Sequence, residues 1–406
     1  MTSILDGIKV LDLTRIIAGP LCTQILADMG ATVYKIEKPG EGDDTRRMGP
    51  FLPDPVHGGH SNDSATYLAY NRGKQSVTLD IATPEGARLA QDLAARCDVV
   101  VENYKTGSLA KYGLDEASIR KRRPDIVYCS VTGFGQSGPY AARPAYDFIL
   151  QGLAGAMSTC GQPDGSPGAD PMRTAIPITD VVTGLYAAIG VIGALYHRRA
   201  HGSGQHVDAA MIDAAVALNG HLALGYLMTG QLPPRVGNTN PIASPSEVMV
   251  CADGPFILAA GNNGQFEAMC RVLGHPEWAD DERFRTNALR VTHRGALRAT
   301  LAPALMHRGR AELLAALDAA GVPCGPINDM AEVFADPQTR HRQIELHLPH
   351  SRGVTVPSLR SPLCFSATPV EHRAPPMLGE HSASVLAAEL GIDEKRLQAL
   401  REKAIV

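Results

Sequence analysis

The chain has 406 residues, 44% of them apolar and 20% charged, with a formal net charge of -4. That composition describes a globular protein with enough length for two or three domains and excludes a largely disordered chain. The slight acidity excludes the basic footprint of a nucleic-acid binder, so an anionic substrate must be met by local cations.

Eight cysteines, at positions 22, 97, 129, 160, 251, 270, 324 and 364, are scattered with no CxxC pair and no zinc spacing. They read as thiols of a reducing cytosol. The N-terminus MTSILDGIKVLDL carries an acid where a signal peptide has a basic start, and the longest apolar run, around Ala187 to Leu195, is too short to span a bilayer. The expectation is a cytoplasmic protein with no membrane partner.

In chain order, Ile8 to Leu13 reads as a buried parallel strand, a turn follows at Ala18, Gly19 and Pro20, a helix runs from about Leu21 to Met29, and Thr32 to Ile36 is the next strand. Such a unit belongs to doubly wound α/β sheets, whose ligands bind beyond the strand ends. The turn lacks GxGxxG, which argues against a dinucleotide. Lys35, Lys38, Arg46, Arg47, Asn71, Arg72 and Lys74 lie after strand ends, as surface charges or phosphate contacts. His57 and His60 fall in a long polar loop, Gly40 to Ser64, without the further ligands a metal needs.

Strands are expected at Ser76 to Leu79, Asp98 to Glu102 and Ile126 to Val131, with a helix over about Pro84 to Arg96. The glycine-rich TGFGQSGP after the last strand offers backbone N–H groups to an anion but is not a P-loop. Further on, a helix is expected from about Asp208, a linker at Leu232 to Pro245, a hairpin around Ala252, Asp253 and Gly254, helices from Glu282 to Ala320, and a proline-rich return ending in a helix from about Ser382.

The chain is organised around RTAIPITDVVTGLYAAIGVIGALYHRRAHGSGQHVDAAMID, Arg173 to Asp213. Val181, Val182, Leu185, Ile189, Ile192 and Leu195 repeat at helical spacing, Thr179 is placed to cap, and Gly202 to stop the helix after His197, Arg198 and Arg199. Asp180 thus sits at the mouth of the most apolar helix. Either it merely complements the macrodipole or it is a carboxylate nucleophile that the helix N-terminus keeps ionised with no arginine to blunt it.

Jointly and in order, GIKVLDLTRIIAGP, GATVYKIEKPGEGDDTR, NRGKQSVTLDI, DVVVENYKTGSLAKYGL, VTGFGQSGPYAARPAYDF, TDVVTGLYAAIG, GSGQHVDAAMID and ADGPFILAAGNNGQF resemble the class III coenzyme A transferases, whose relatives include formyl-CoA transferase, carnitine CoA-transferase and alpha-methylacyl-CoA racemase. The resemblance covers nearly the whole chain. It implies a Rossmann-like large domain over 1–200, completed by a return segment at 326–406 (principally 330–406), with a linker helix at 201–229 and a small α+β domain at 230–325. It also implies an interlocked, ring-like homodimer.

By the same resemblance Asp180 is the catalytic aspartate, supported by Tyr146 and by a flexible lid of Gly261, Asn262, Asn263, Gly264 and Gln265. CoA would contact Ile16, Ile17, Ala18, Lys38, Asn71, Arg72, Asn103, Tyr104 and Lys111, with Lys38 and Arg72 facing phosphates. The thioester is a substrate; no resident cofactor or metal is implied. The expected reaction moves CoA from an acyl-CoA such as succinyl-CoA to a small, preferably dicarboxylic, acid. Arg46 or Arg173 would hold the remote carboxylate. The alternatives are a non-catalytic CoA-binding protein and a 2-methylacyl-CoA racemase, which pairs the aspartate with a histidine where this chain has Tyr146; Glu247 lies near a further racemase glutamate.

Overall fold

The computed structural model describes residues 3–53 and 60–406; His57 and the side chain of His60 lie outside the described residues. By its internal contacts the chain divides into two compact units, one of residues 1–156, 173–230 and 338–406, the other of residues 157–172 and 231–337. The helices expected to link the domains, over residues 211–229, belong to the first unit, and the return to it begins at residue 338. Residues 157–172, expected in the large domain, belong to the second unit.

Among the described residues thirteen strands follow in chain order: β1 (Lys9–Leu13), β2 (Thr32–Glu37), β3 (Phe51–Pro53), β4 (His60–Ser64), β5 (Gln75–Thr78), β6 (Val99–Glu102), β7 (Val127–Thr132), β8 (His206–Ala210), β9 (Ser246–Cys251), β10 (Gly254–Ala259), β11 (Cys324–Pro326), β12 (Glu345–Pro349) and β13 (Thr355–Leu359). In the first unit β5-β2-β1-β6-β7-β8 form one sheet with every pairing parallel. This order reverses between β1 and β6, the switch point where doubly wound sheets open a crevice for ligands.

Both faces of the sheet are covered, which is why its central strands β6 and β7 are buried throughout without alternation. On one face Leu11, Ile36, Val77 and Val100 pack with Leu89 and Leu93 and with Leu386, Leu397 and Leu400 from the two C-terminal helices. On the other, Val10, Val33, Val99, Val101 and Val127 pack with Cys22 and Leu26 of the first helix (Ala18–Asp28) and Ala187, Val191 and Leu195 of the central helix (Ile178–His201). The two helices approach so closely that a Cβ at Gly184 would stand 2.7 Å from the Ala18 carbonyl oxygen.

Two expectations fail here. HVDAA, whose last three residues were expected to open a helix from about Asp208, is β8: it completes the parallel sheet beside β7, and the helix begins at Met211. The apolar run judged too short for a bilayer lies inside a 24-residue helix that is long and apolar enough by length and composition alone. Its small residues pack on the sheet while Leu185, Tyr186, Ile189 and Tyr196 are exposed.

The second unit carries the antiparallel sheet β11-β10-β9, with the hairpin turning at Ala252 to Gly254. Phe256, Leu258, Phe266, Phe284, Leu301 and Leu317 form its core.

Candidate functional site

Two clefts open at the carboxyl ends of β1, β2, β5 and β6, where the switch point predicts a ligand. The larger, about 300 Å³, is lined by Ile16, Ile17, Ala18, Asn103, Tyr104, Tyr146 and Asp180, with Arg15, Asp147 and Arg143. The second, about 260 Å³, is lined by Lys38, Leu79, Asp80, Ile81 and Tyr112, and the two share Arg15, Asp44 and Tyr104.

Asp180 lies in the first turn of the central helix, yet neither Thr179 nor its N-cap Pro177 caps that helix. The cap comes from Asp147, the first residue of the helix Asp147–Leu153. Its Oδ1 accepts hydrogen bonds from the Thr179 N–H (2.8 Å), the Thr179 hydroxyl (2.5 Å) and, more distantly, the Asp180 N–H (3.4 Å). Asp147 Oδ2 accepts from Gln151 Nε2 at 2.7 Å, and Gln151 Oε1 accepts from the Thr174 N–H at 3.0 Å, which ties the approach to the helix to its neighbour.

This arrangement overturns the expectation that the helix N-terminus keeps Asp180 fully ionised. Asp147 already occupies the orphan N–H groups with a negative charge of its own. Burial, and then the Asp147 carboxylate, push the Asp180 carboxyl up to about 7. Among the described residues no cation pairs with Asp180 and no side-chain donor bonds its carboxylate. Once ionised, a carboxylate with no cation or side-chain donor on it keeps its lone pairs available for nucleophilic attack.

The loop between β1 and the first helix is held in a strained form. Ile16, a β-branched residue, sits at φ 71°, a conformation that persists only where the surroundings enforce it. Asn103 grips the loop from both sides, its Oδ1 accepting from the Arg15 N–H (2.9 Å) and its Nδ2 donating to the Arg15 carbonyl (2.7 Å). Asp43 accepts from the Ile16 N–H (3.3 Å), while Lys35 donates to Asp43 (2.8 Å) and to the Thr14 carbonyl (3.0 Å).

Other expected contacts are placed differently. Asn71 is buried, donating to the Tyr67 carbonyl and accepting from Lys74. Arg72 is buried in a bidentate pair with Asp28, at 2.8 and 2.5 Å, and so does not face a phosphate. Arg46 is likewise sealed against Glu37, at 2.8 Å twice, with its guanidinium 3.6 Å from the Tyr67 ring centroid. Arg173 is exposed over Phe148 at 5.0 Å and lines neither cleft. Lys111 lies over the Tyr112 ring at 4.7 Å, and Lys38 pairs with Glu41.

Gly261 to Gln265, expected as a flexible lid, is instead a capped helix start in the second unit. Asn262 Oδ1 accepts from the Gln265 N–H at 2.8 Å and opens the helix Asn263–Leu273. The fully buried Arg290 donates to the Gly261 carbonyl (2.8 Å) and to Asn263 Oδ1 (3.1 Å), fixing the turn. Glu247 is also buried there, 3.5 Å from Arg294. Among the described residues no three His, Cys, Asp or Glu side chains converge as metal ligands would.

Sequence reasoning passed over Asp147, Arg15 and Arg143. The signal for Asp147 was present, an acid directly after Tyr146 at the first position of a helix, where an acidic side chain suits the macrodipole.

A parallel doubly wound sheet with a partly buried, unpaired carboxylate beside its switch-point crevice defines an α/β enzyme suited to covalent acyl chemistry. The chain belongs to CoA-transferase family III, whose family model matches residues 5–382, and its substrates are therefore CoA thioesters. It is 44% identical to a succinate–glutarate CoA-transferase of Agrobacterium fabrum, over 94% of this chain and 95% of that one. With the human succinyl-CoA:glutarate CoA-transferase it shares 37% identity, over 99% of this chain and 90% of that protein. Its fold matches the crystal structure of a CAIB/BAIF family protein from Brucella suis with a TM-score of 0.86 at 44% identity, covering 96% of this chain and all of that one.

Proposed function

We propose that the protein transfers CoA from a succinyl-CoA-like donor to a C4 or C5 dicarboxylic acid through covalent intermediates on Asp180. The observation that carries this is the Asp180 carboxylate, in the cleft, beside a like charge and without a cation. The names of the relatives, which exchange CoA between succinate and glutarate, support the choice of acids.

In this reading an Asp180 oxygen attacks the thioester carbonyl, the C–S bond breaks, and CoA leaves as thiolate from an acyl-aspartyl anhydride. The thiolate then attacks the aspartyl carbonyl, releasing the donor acid and leaving an aspartyl-CoA thioester. The acceptor carboxylate attacks that same carbonyl, giving a new anhydride and thiolate. Attack of the thiolate on the acceptor acyl carbon forms the product thioester and restores Asp180. Each step exchanges one activated acyl bond for another, so the thioester's energy is kept as long as water is excluded.

The acyl end of CoA occupies the cleft of Ile16, Ile17, Ala18 and Tyr146, where the Tyr146 hydroxyl is a hydrogen-bond donor to the acyl group. The nucleotide end takes the second cleft, with Lys38 free to exchange its surface partner Glu41 for phosphate. Asn103 serves by fixing the loop, and Asn71 and Arg72 by holding the ground beneath it.

The active form in this reading is an interlocked homodimer. The helix Gly220–Thr229 buries none of its residues and exposes Leu224, Leu227 and Met228, and the outer face of the central helix is apolar as well. Apolar surface of that extent calls for a partner. All eight cysteines are unpaired, which fits a cytoplasmic location.

The test is a panel of acyl-CoA donors and small acids in heavy water, read by mass spectrometry. The expected result is acid-dependent formation of a new thioester without deuterium at the α-carbon. Exchange at that carbon on a 2-methylacyl-CoA with no transfer to any acid would replace this reading by racemisation.

A further inference from the structure

A dicarboxylic substrate places a second carboxylate several bonds from the one that meets Asp180, and an apolar helix mouth offers it nothing. Arg46 is sealed against Glu37 and Arg173 lines neither cleft, so the cation must come from elsewhere. Two other guanidiniums line the Asp180 cleft. Arg15 stands where the two clefts meet, paired with Asp44 at 3.2 Å and 5.3 Å from the Tyr104 ring centroid, a position suited to the phosphates that join the two ends of CoA.

Arg143, unlike Arg15, lines the Asp180 cleft and not the second one. Its guanidinium lies 4.4 Å from the Tyr140 ring centroid and 5.5 Å from that of Phe134, and these two rings pack edge to face at 5.5 Å. Among the described residues no carboxylate forms an ion pair with it. The residue is also fixed at its backbone, where its N–H donates to the Tyr140 carbonyl at 2.8 Å.

The glycine-rich loop that carries these residues cannot use two of its backbone donors on a ligand. The Gln136 N–H is taken by Asp208 Oδ2 at 2.9 Å and the Gly135 N–H by Thr132 Oγ1 at 3.0 Å. Besides its remaining backbone donors, the loop presents to an anion the exposed Arg143 side chain, which lies on aromatic faces with its N–H edge available for a bidentate partner.

We propose that Arg143 is the specificity-determining residue that binds the remote carboxylate of a dicarboxylic acyl group while the other carboxyl group reacts at Asp180. The inference rests on the transferase reading above and adds to it the group that selects the substrate class.

The test uses the full-length protein, its Arg143→Gln and Arg143→Lys variants, succinyl-CoA as donor, and glutarate or valerate as acceptor. The two acceptors share a five-carbon chain and differ in the second carboxylate, and any effect on the donor cancels in their ratio. Arg143→Gln is expected to lower the glutarate-to-valerate ratio of kcat/KM roughly 10- to 100-fold, with Arg143→Lys in between, because one charge-assisted contact is lost. The dissociation constant for CoA, measured on the same samples, is expected to stay within about twofold, which also shows that the variants are folded. An unchanged ratio, or a CoA dissociation constant that rises as far as glutarate efficiency falls, would overturn the assignment. Failure of the wild-type protein to move CoA to any acid would instead remove the transferase reading on which the assignment rests.

Discussion

Two groups of acidic side chains stand near the same strand ends, and their surroundings give them opposite characters. Asp12, Glu37 and Asp43 are buried with matched cations: Lys74 at 3.0 Å from Asp12, Arg46 at 2.8 Å from Glu37, and Lys35 at 2.8 Å from Asp43. Burial alone would raise these carboxyls, but the cations and hydrogen bonds outweigh it and hold all three low, Asp43 at about 2. Among the described residues Asp180 and Asp147 have no cation partner, and Asp180, beside the Asp147 carboxylate, rises to about 7. The paired acids build the floor that holds the Arg15–Ile17 loop, whereas Asp180 is left with the lone pairs that the proposed reaction uses.

Lack of a cation is not sufficient. Glu102 is also pushed to about 7 by burial, but its Oε2 accepts the Tyr104 N–H at 2.8 Å and it lines neither cleft. What distinguishes Asp180 is that it is unpaired and open to the cleft.

The largest effect expected from this contrast is on turnover. Asp180→Ala should reduce CoA transfer to below about a thousandth of wild type while leaving CoA affinity nearly unchanged, since the interaction lost is one of the reaction alone. Near-normal transfer by the variant would dissolve the contrast.

Next comes stability. Lys35→Met strands a buried Asp43 and should destabilise the protein by about 3–5 kcal/mol in denaturant melts, because an uncompensated buried charge is left behind. A loss comparable to that of an exposed pair such as Lys38 with Glu41 would show that the floor is not held by charge.

A smaller effect appears in the pH profile. In the proposed reaction only ionised Asp180 attacks, so kcat/KM should climb about tenfold per pH unit below about 7 and level off above it. The same upward shift means that the folded state binds more protons than the unfolded state between about 4 and 7, so this group's contribution to stability falls as pH rises through that window. Asp147→Asn should move the activity limb to lower pH, since it removes the like charge while its amide oxygen can still accept from the Thr179 N–H. A limb that stays in place would leave burial as the sole cause.

Much of this was legible in the chain itself. The apolar runs at 10–13, 33–36, 99–101 and 127–131 give away a buried parallel sheet because both faces are covered, and Pro177, the apolar repeat and Gly202 frame the central helix. β8 was not legible: HVDAA is short, with a single β-branched residue and an alternation of only four residues that runs straight into the apolar helix after it, and it becomes a strand because β7 presents an open edge to it. The fates of Arg46 and Arg72 were hidden for a related reason. An arginine after a strand end looks the same in sequence whether it faces a phosphate or a buried acid, and Glu37 and Asp28 are identified as partners only when the chain is folded. Asp147 shows the converse, a residue adjacent to an expected one whose reach to the central helix no local pattern could disclose.

The central claim is that the unpaired Asp180 carries the covalent intermediate. It is tested most directly by incubating the protein with succinyl-CoA, quenching with hydroxylamine and mapping the modified peptide by mass spectrometry. The account predicts a donor-dependent hydroxamate on Asp180, formed with release of CoA and absent from Asp180→Ala. A hydroxamate on another residue, or continued CoA transfer with no trapped adduct at all, would contradict it.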